Sequence, residues 1–290
     1  MTARNIGLTA GKIALGLAVS FVIAIILMIP AFVILAFLNG GDAEQLLVSS
    51  DELNPINIVF GIVQATAFIL GTLLMYKFFE KKAGWPLGWK DPSPARHFVV
   101  GSAAGIVLIT ASFLIIMAQG GVDVAGVNPF GKIAGHFGSC LVLFAFVAVS
   151  EELFSRGYVY GLIKHHFSSN WAIAGSSLVF AGLHSMNPGM FEQPFPFINL
   201  IVVGVLFALS RELTGGLWAP IGLHFTWNLF QGNVYGFAVS GTKGPSLIEL
   251  DVQTGLTAGG TFGAEGSYVT TLILMIAVIG IYRLGYKKKK

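Results

Sequence analysis

The sequence predicts an all-α fold, a polytopic membrane protein with about eight transmembrane helices. Hydrophobic residues make up 54% of the 290 residues and charged residues only 11%, whereas about 25% charged residues is usual in globular domains. The mean hydropathy of +0.77 indicates the same class. Because so few charges cannot cover the surface of a water-soluble protein of this size, we expect most of the chain to lie in lipid. The third observation is a series of long apolar runs.

Eight apolar runs are candidate transmembrane helices. A helix rises about 1.5 Å per residue, so about 20 apolar residues span a hydrocarbon core about 30 Å thick. The first run is too long for a signal peptide and lacks a small-residue cleavage site, so it predicts an uncleaved anchor. The runs lie at 12–38, 56–79, 97–118, 133–164, 170–186, 197–211, 216–236 and 267–284.

The basic residues predict the orientation of these helices. Lysine and arginine are enriched in cytoplasmic loops, and every even-numbered run ends on the side that holds most of them. Both termini are therefore expected in the cytoplasm. The basic side carries Arg4, Lys12, Lys77, Lys81, Lys82, Lys90, Arg96, Lys164, Arg211, Arg283 and Lys287 to Lys290. The opposite side carries Lys132 and Lys243 together with Asp42, Glu44, Asp51, Glu52, Asp123, Glu192, Glu249, Asp251 and Glu265.

Two connections between the runs are distinctive. Residues 80–96 contain Trp85 and Trp89, which predict a cytoplasmic elbow held at the membrane interface by its tryptophans. Residues 237–266 form a long glycine-rich outer loop, which is either a mobile cover or a tether. Spacings of small residues predict close helix packing. They occur at Gly101/Gly105, Gly131/Gly135, Gly157/Gly161 and Gly232/Gly236.

The charge balance and the cysteine content exclude several functions. The formal net charge is +3 and the basic residues are dispersed, so nucleic acid is not an expected partner. Cys140 is the only cysteine, which excludes an intrachain disulfide and a Cys-rich metal site. It lies eleven residues before Glu151 with no evident base, and no serine lies beside a histidine at a convincing spacing. The sequence therefore does not indicate a covalent nucleophile.

Charged residues in the middle of the fourth run are the first functional signal, because charges at membrane depth are costly and usually mark function. In the segment 150–156 (SEELFSR), Glu152 and Arg156 are four residues apart and can pair on one helix face. Glu151 is rotated by about 100° from Glu152 and points elsewhere. One carboxylate is then neutralised while its neighbour stays available. The alternative is a structural ion network that joins two helices.

Two further polar clusters lie in later runs. His184 ends the segment 180–184 (FAGLH) of the fifth run, and His224 and Asn228 are four residues apart in the seventh. A lone intramembrane histidine often provides only a packing hydrogen bond, and the His224–Asn228 pair can present two donors or two ligands. Counted from the cytoplasmic helix ends, Glu151, His184 and Asn228 lie at depths of about 20, 21 and 18 Å. We therefore expect the clusters to meet at one level.

These residue types favour attack of water on an acyl carbon. A carboxylate with a histidine can activate water as a general base, and a second histidine with an amide can stabilise the oxyanion of a tetrahedral intermediate. A zinc site is the other possibility, because Glu151, His184 and His224 form a His₂Glu set with a fourth position for water. No metal is favoured, because an H-E-x-x-H motif is absent and the spacing commits the remaining carboxylate, Glu152, to Arg156.

The three clusters resemble the CPBP family of membrane-embedded proteases, which includes the type II CAAX prenyl endopeptidases and bacteriocin-related processing and immunity proteins. The family pattern is EExxxR, FxxxH, and HxxxN or HxxxD on separate helices. Here it reads Glu151-Glu152-xxx-Arg156, Phe180-xxx-His184 and His224-xxx-Asn228. The resemblance covers roughly residues 130–235, and the segment 211–220 is similar to bacterial members.

The resemblance implies a CAAX-protease-like bundle with intramembrane endopeptidase activity. Glu151 and His184 correspond to the pair that activates water. His224 and Asn228 correspond to the oxyanion side, which the Glu152–Arg156 pair supports. The family is often classed as metalloendopeptidases, so Zn²⁺ stays possible as a cofactor. The implied partners are the lipid bilayer and a membrane-associated or C-terminal peptide substrate, prenylated or not.

The resemblance also implies how the chain is organised. Residues 1–125 would hold the N-terminal transmembrane helices and the elbow, residues 126–236 the CPBP-like catalytic core, and residues 237–290 the outer loop and the C-terminal transmembrane helix. The expected location is the plasma membrane of a bacterium. Two other functions stay open. One is a non-catalytic immunity or adaptor protein that binds a peptide in the same cavity, and the other is a transporter, whose paired interrupted helices the sequence does not contain.

Overall fold

The computed structural model describes residues 3–38, 52–253 and 255–286 of the chain. The protein is an all-α membrane bundle that is 75% helical and contains a small two-stranded sheet. Each of the eight predicted runs corresponds to a helix, which confirms the fold class. Some residues used to predict the orientation lie outside the described residues, namely Asp42, Glu44, Asp51 and Lys287 to Lys290.

The bounds of the helices follow the predicted runs closely. The α-helices are α1 (Ala3–Leu38), α2 (Pro55–Met75), α3 (Pro94–Ala118), α4 (Phe130–Glu152), α5 (Tyr160–His166), α6 (Ser169–Leu183), α7 (Phe195–Thr214), α8 (Trp218–Leu229) and α9 (Tyr268–Ile281). The strands are β1 (Val122–Val127) and β2 (Ile248–Val252). π-helical turns extend α2 (Tyr76–Glu80), α8 (Phe230–Val234) and α9 (Tyr282–Tyr286), and a fourth joins α4 to α5 (Leu153–Val159).

Five helical segments in the described part of the chain are long and apolar enough to cross a membrane. They are Arg4–Leu38, Pro55–Ala83, Pro94–Ala118, Phe130–His166 and Phe195–Thr214. Helices α6, α8 and α9 are shorter. Membrane crossing by these three helices therefore stays a prediction.

The fourth predicted run is a continuous helix that changes type just after its acidic pair. Helix α4 ends at Glu152, and the π-helical segment Leu153–Val159 leads directly into α5. All seven residues of this segment are buried. π-helical turns are rare and occur frequently at functional sites. Glu152 and Arg156 still face each other across this change of helix type.

Glycines allow α3 to pack directly against α8. A Cβ atom at Gly101 would overlap a backbone carbonyl of α8, and one at Gly105 would lie 2.5 Å from the carbonyl oxygen of Leu223. The predicted role of these two glycines in close packing is confirmed. The same prediction is wrong for Gly131 and Gly135, because no described atom lies within 4 Å of a Cβ built at either position.

The elbow at residues 80–96 packs against the helices. Trp85 is buried, and the centre of its ring lies 5.0 Å from that of Tyr76. The Tyr76 hydroxyl donates a hydrogen bond to the backbone carbonyl of Trp85 at 2.5 Å. The indole fits beside Gly161, where a Cβ atom would collide with it. Trp89 lies 5.9 Å from the ring of Trp218. Trp85 is therefore a core residue and not the interface anchor that was predicted.

The outer loop is a packed cap over one end of the bundle. Its strand β2 pairs antiparallel with β1, and Phe237 and Phe262 are buried in the core formed by α3 and α6 to α9. Gly263 has φ 85° and ψ −161°, a conformation that is essentially restricted to glycine. A Cβ atom there would also overlap the carbonyl of Ala238. Gly263 and Gly266 serve tight backbone packing, so the interpretation of the loop as a mere tether is wrong.

Candidate active site

A wholly buried ion pair links the π-helical segment to α7. Arg156 Nη1 lies 3.1 Å from Glu152 Oε1, and neither side chain is exposed. Arg156 Nη2 donates a hydrogen bond to the Gly204 carbonyl at 3.1 Å. The guanidinium carbon lies 4.1 Å from the ring centre of Phe180 and 4.9 Å from that of Phe207. The pair expected from the i, i+4 spacing is present, and Arg156 holds three helices together.

Glu152 also contacts α8, which the spacing alone does not reveal. Its Oε1 lies 3.1 Å from Nδ1 of His224. Because an ionised carboxylate can only accept, Nδ1 is the donor and carries a proton. The imidazole ring also stacks on Phe207, with 5.1 Å between the ring centres and an interplanar angle of 19°. These two contacts fix the orientation of His224.

Glu151 lies beside both imidazole rings. Its Oε2 atom is 3.5 Å from Nε2 of His184 and 3.9 Å from Nε2 of His224. This oxygen is buried and makes no hydrogen bond with the described residues. The Glu151 side chain is 25% exposed, whereas that of Glu152 is 0% exposed. The two neighbouring carboxylates therefore have separate surroundings, one locked by Arg156 and His224 and the other accessible.

His184 is held by the end of its own helix. Helix α6 ends at Leu183, so His184 follows the last helical residue rather than lying within the predicted run. Its Nδ1 lies 2.8 Å from the Phe180 carbonyl oxygen. A carbonyl only accepts, so Nδ1 donates, and Nε2 is the nitrogen that faces Glu151. The same bond satisfies one of the carbonyls that a helix end leaves unpaired.

The four predicted catalytic side chains line one cavity. Its volume is about 410 Å³, and it is bordered by Glu151, His184, His224 and Asn228. Asn228 is buried one helical turn after His224 on α8. The Glu152–Arg156 pair lies behind these residues and does not line the cavity. The structure thus brings together three clusters that lie at 151–156, 180–184 and 224–228 in the sequence.

A comparison with protein families agrees with this arrangement. Residues 133–230 match the family model described as Type II CAAX prenyl endopeptidase Rce1-like. The chain carries an Rce1-like domain. This match confirms the resemblance to the CPBP family, and the matched segment includes every site residue from Glu151 to Asn228. No curated protein and no solved structure matches the chain.

Further polar residues that the sequence analysis missed line the cavity, among them Asn199, Ser240 and Glu265. Glu265 lies outside the Rce1-like domain and is 8% exposed. Its Oε2 accepts hydrogen bonds from the backbone N–H and the hydroxyl of Ser240, both at 2.9 Å. Asn199 Nδ2 donates to the carbonyls of Glu265 and Ser267 at 2.7 and 2.9 Å. The signal for Glu265 in the sequence was a carboxylate within the glycine-rich segment 237–266. The prediction of a cover or tether made no use of it.

Cys140 of the Rce1-like domain lies away from the cavity. Its Sγ is 3.2 Å from Nε2 of His136, so a base does lie beside the thiol, contrary to the expectation from the sequence. The cysteine is completely buried, and neither residue lines the cavity. Cys140 is therefore a packing residue and not a candidate nucleophile for this site.

The possible zinc ligands do not form a metal site as they are arranged. Glu151, His184 and His224 are the donor types that catalytic zinc takes. Within the described ranges, however, no group of three His, Cys, Asp or Glu side chains is placed to hold a metal ion. The remaining carboxylate, Glu152, is engaged by Arg156 and His224. The arrangement therefore does not fit a bound metal without movement of these side chains.

Proposed function

We propose that the protein is an intramembrane endopeptidase in which water attacks a peptide carbonyl directly. The observation that carries this proposal is the position of Glu151, whose Oε2 lies close to Nε2 of both His184 and His224 in a shared cavity. A carboxylate next to an imidazole can activate water by general base catalysis. The Rce1-like domain supports a CAAX-protease-like function for the same segment of the chain.

Glu151 and His184 act as the pair that activates water. Because Nδ1 of His184 donates to Phe180, its neutral ring offers Nε2 as an acceptor. A water molecule between this nitrogen and the Glu151 carboxylate donates one proton to each, which leaves an oxygen lone pair for the substrate carbonyl. Attack forms the new C–O bond and transfers a proton to Glu151. The same proton then moves to the amide nitrogen as the C–N bond breaks.

His224 and Asn228 stabilise the oxyanion. Nδ1 of His224 donates to Glu152, so its Nε2 can donate to the oxyanion only when the ring is positively charged. The buried charges favour that state. The two carboxylates of Glu151 and Glu152 and the guanidinium of Arg156 have a net charge of −1. A positively charged His224 ring balances this charge, which is favourable because an uncompensated buried charge is costly. The Asn228 amide supplies the second donor of an oxyanion site.

The shape of the cavity supports a membrane-associated or C-terminal peptide as the substrate. Phe21 and Gln64 line the cavity and also border a second, apolar cavity of about 540 Å³ along α1. Only 6% of the most apolar part of α1 is buried inside the protein. A substrate in the lipid can therefore reach Glu151 between α1 and α2. Comparison of membrane proteomes decides whether that substrate is prenylated.

The test compares membrane proteomes of cells that lack the chromosomal protein and carry wild type, Glu151→Ala or Asp251→Asn. Asp251 is exposed on β2 and serves as a matched control for the loss of one carboxylate. We expect peptide termini that appear with wild type and Asp251→Asn and are lost with Glu151→Ala, because general acid–base groups contribute about 10²–10⁴-fold. The termini themselves identify the cleaved bond and any lipid modification beside it.

Two results would contradict the proposal. Unchanged cleavage by a Glu151→Ala protein that inserts and melts like wild type would remove the mechanism. A peptide that co-purifies with wild type and is never cut would instead indicate the non-catalytic immunity or adaptor function.

Metal dependence is tested on the purified active protein. We propose a metal-free mechanism, because each of Glu151, His184, His224 and Asn228 then has one catalytic role. Glu152 stays paired with Arg156 and is not needed as a base. Activity is measured after exhaustive chelation and metal add-back, together with elemental analysis. Full activity without zinc supports the proposal. Stoichiometric zinc whose removal reversibly abolishes cleavage would make His184 and His224 ligands.

A further inference from the structure

The part of the cavity near the outer loop presents hydrogen-bond acceptors without matching donors. Glu265 Oε2 accepts both hydrogen bonds from Ser240, and neither of them reaches Oε1. Asn199 is 1% exposed, and its Oδ1 is buried without a partner in the described part of the chain. Both residues line the cavity. A buried acceptor without a donor costs free energy, so this pattern indicates that a donor arrives with a ligand.

The orientation of both acceptors is fixed by other bonds. Asn199 Nδ2 donates to the carbonyls of Glu265 and Ser267, which identifies the opposite atom as the oxygen. Ser240 has φ 49°, the one positive φ of a non-glycine residue in the described ranges, and its N–H points to Glu265. Backbone strain of this kind is concentrated at functional sites and ligand clamps. The loop therefore holds Glu265 in place at a conformational cost.

The charge of the cavity indicates which kind of donor is missing. With His224 charged and His184 neutral, as in the proposed mechanism, the carboxylates of Glu151 and Glu152 are balanced by Arg156 and His224. Glu265 then adds a carboxylate for which no lysine or arginine lines the cavity among the described residues. A positively charged ligand group would supply both the missing charge and the missing donors.

We propose that Glu265 and Asn199 form a specificity subsite that binds an ammonium or guanidinium group of the peptide substrate. The preferred substrate carries a lysine or arginine side chain close to the bond that Glu151 addresses, with an apolar portion in the cleft beside α1. This inference rests on the proposed function in taking the cavity as the place where the peptide binds. Glu265 lies outside the Rce1-like domain, whereas Asn199 lies within it.

The test measures binding and cleavage separately. The probes are N-acetylated, C-amidated decapeptides of alternating leucine and serine, in which one position at a time carries lysine, norleucine or glutamate. Blocked termini leave the scanned side chain as the sole charge. Binding is measured by isothermal titration calorimetry to the full-length His184→Gln protein in detergent micelles, with empty micelles as the reference for partitioning. Cleavage of the same peptides by wild type is followed by mass spectrometry.

We expect lysine at one or two adjacent positions to bind at least about tenfold more tightly than norleucine, since hydrogen bonds to charged groups are the stronger ones and norleucine can form none. In the double variant that adds Glu265→Gln this preference is lost, and with Glu265→Lys it changes to a preference for glutamate. The control Asp251→Asn keeps the lysine preference, because it removes an exposed carboxylate of the same loop.

Equal binding of lysine and norleucine peptides at every position, or no binding of either, would overturn the subsite. This comparison needs no Glu265 variant, so it decides the matter even if Glu265→Gln does not fold. If wild type cuts no peptide but the lysine preference depends on Glu265, the subsite stands and the proposed peptidase function fails. If wild type cleaves the peptides equally with and without lysine, the proposed peptidase function stands and the subsite fails.

Discussion

Nδ1 of His224 lies 3.1 Å from Oε1 of Glu152, the same oxygen that pairs with Arg156. One carboxylate oxygen thus joins the π-helical segment to α8, while Arg156 extends the connection to α7 through the Gly204 carbonyl. The contact gives Glu152 two roles that are not separable. It neutralises a buried guanidinium and it orients the ring that faces Glu151.

The first prediction concerns the stability that this network provides. Arg156→Ala leaves Glu152 buried with a single cationic partner, and breaking a buried pair typically costs about 3–5 kcal/mol. We expect less folded protein in the membrane and a lower melting temperature in detergent. The control is Arg96→Ala, because Arg96 is exposed at the start of α3. Equal melting temperatures for Arg156→Ala and Arg96→Ala would show that the ion pair does not stabilise the fold.

A second prediction separates the oxyanion side from the stabilising network. Asn228 lines the cavity and takes no part in the contacts of Glu152. Asn228→Ala should therefore lower kcat by about 10²–10³-fold, the usual cost of one oxyanion donor, with little change in KM or melting temperature. Steady-state kinetics on a substrate found by the proteomic comparison check this. A raised KM with unchanged kcat would assign Asn228 to substrate binding.

Sequence reasoning locates the helices and much of the site for clear physical reasons. An apolar run of about 20 residues indicates a helix that can span the membrane. The four-residue spacing of Glu152 and Arg156 indicates that both lie on one face of a helix. The contact between Glu152 and His224 could not be predicted in this way. Helices that are apolar on all sides carry no hydrophobic stripe, so the sequence does not reveal how each is rotated toward its neighbours.

Glu265 was beyond prediction for a different reason. It lies in a loop, where neither the period of a helix nor that of a strand relates sequence position to spatial position. Its place in the cavity depends on backbone contacts of Gly263 and Gly266, at which Cβ atoms would overlap other parts of the cap. Such contacts leave only a high glycine content in the sequence, which flexible loops also have.

A third prediction uses the glycines of α3 and α4 as a matched pair. Gly105→Ala places a methyl group against α8, and overpacking typically costs about 1–3 kcal/mol. Gly135→Ala adds the same methyl group where no described atom lies within 4 Å. We expect a lower melting temperature for Gly105→Ala and an unchanged or higher one for Gly135→Ala. Equal losses for both variants would mean that backbone flexibility, and not the α3–α8 contact, sets the cost.

A fourth prediction concerns the orientation in the plasma membrane. The charge asymmetry predicts cytoplasmic termini, with the elbow inside and the outer loop outside. Asp251→Cys should react with a membrane-impermeant maleimide on intact cells, whereas Lys81→Cys should react only after permeabilisation. Both positions are exposed, and the native Cys140 is buried, so the background is low. Labelling of both positions from the same side would reject the eight-crossing arrangement.

The last prediction concerns the pH dependence that Glu265 adds to stability. Burial raises the pKa of the Glu265 carboxyl above its ordinary value of 4.5, although the hydrogen bonds from Ser240 oppose the shift. The folded protein therefore holds this proton more tightly than the unfolded chain. It follows that the contribution of Glu265 to the free energy of unfolding is lost as pH rises from 4.5 through the raised pKa.

Glu265→Gln cannot titrate, so the variant isolates this contribution. We expect the melting temperature of wild type to fall relative to Glu265→Gln as pH rises above 4.5, and the difference to become constant once pH exceeds the raised pKa. All other ionisable groups are the same in both proteins, so comparison at each pH removes most of their effect. A lysine decapeptide that binds the subsite should reduce the difference at the higher pH, because it stabilises the ionised carboxylate. A difference that is the same at every pH would show that folding does not shift the pKa of Glu265.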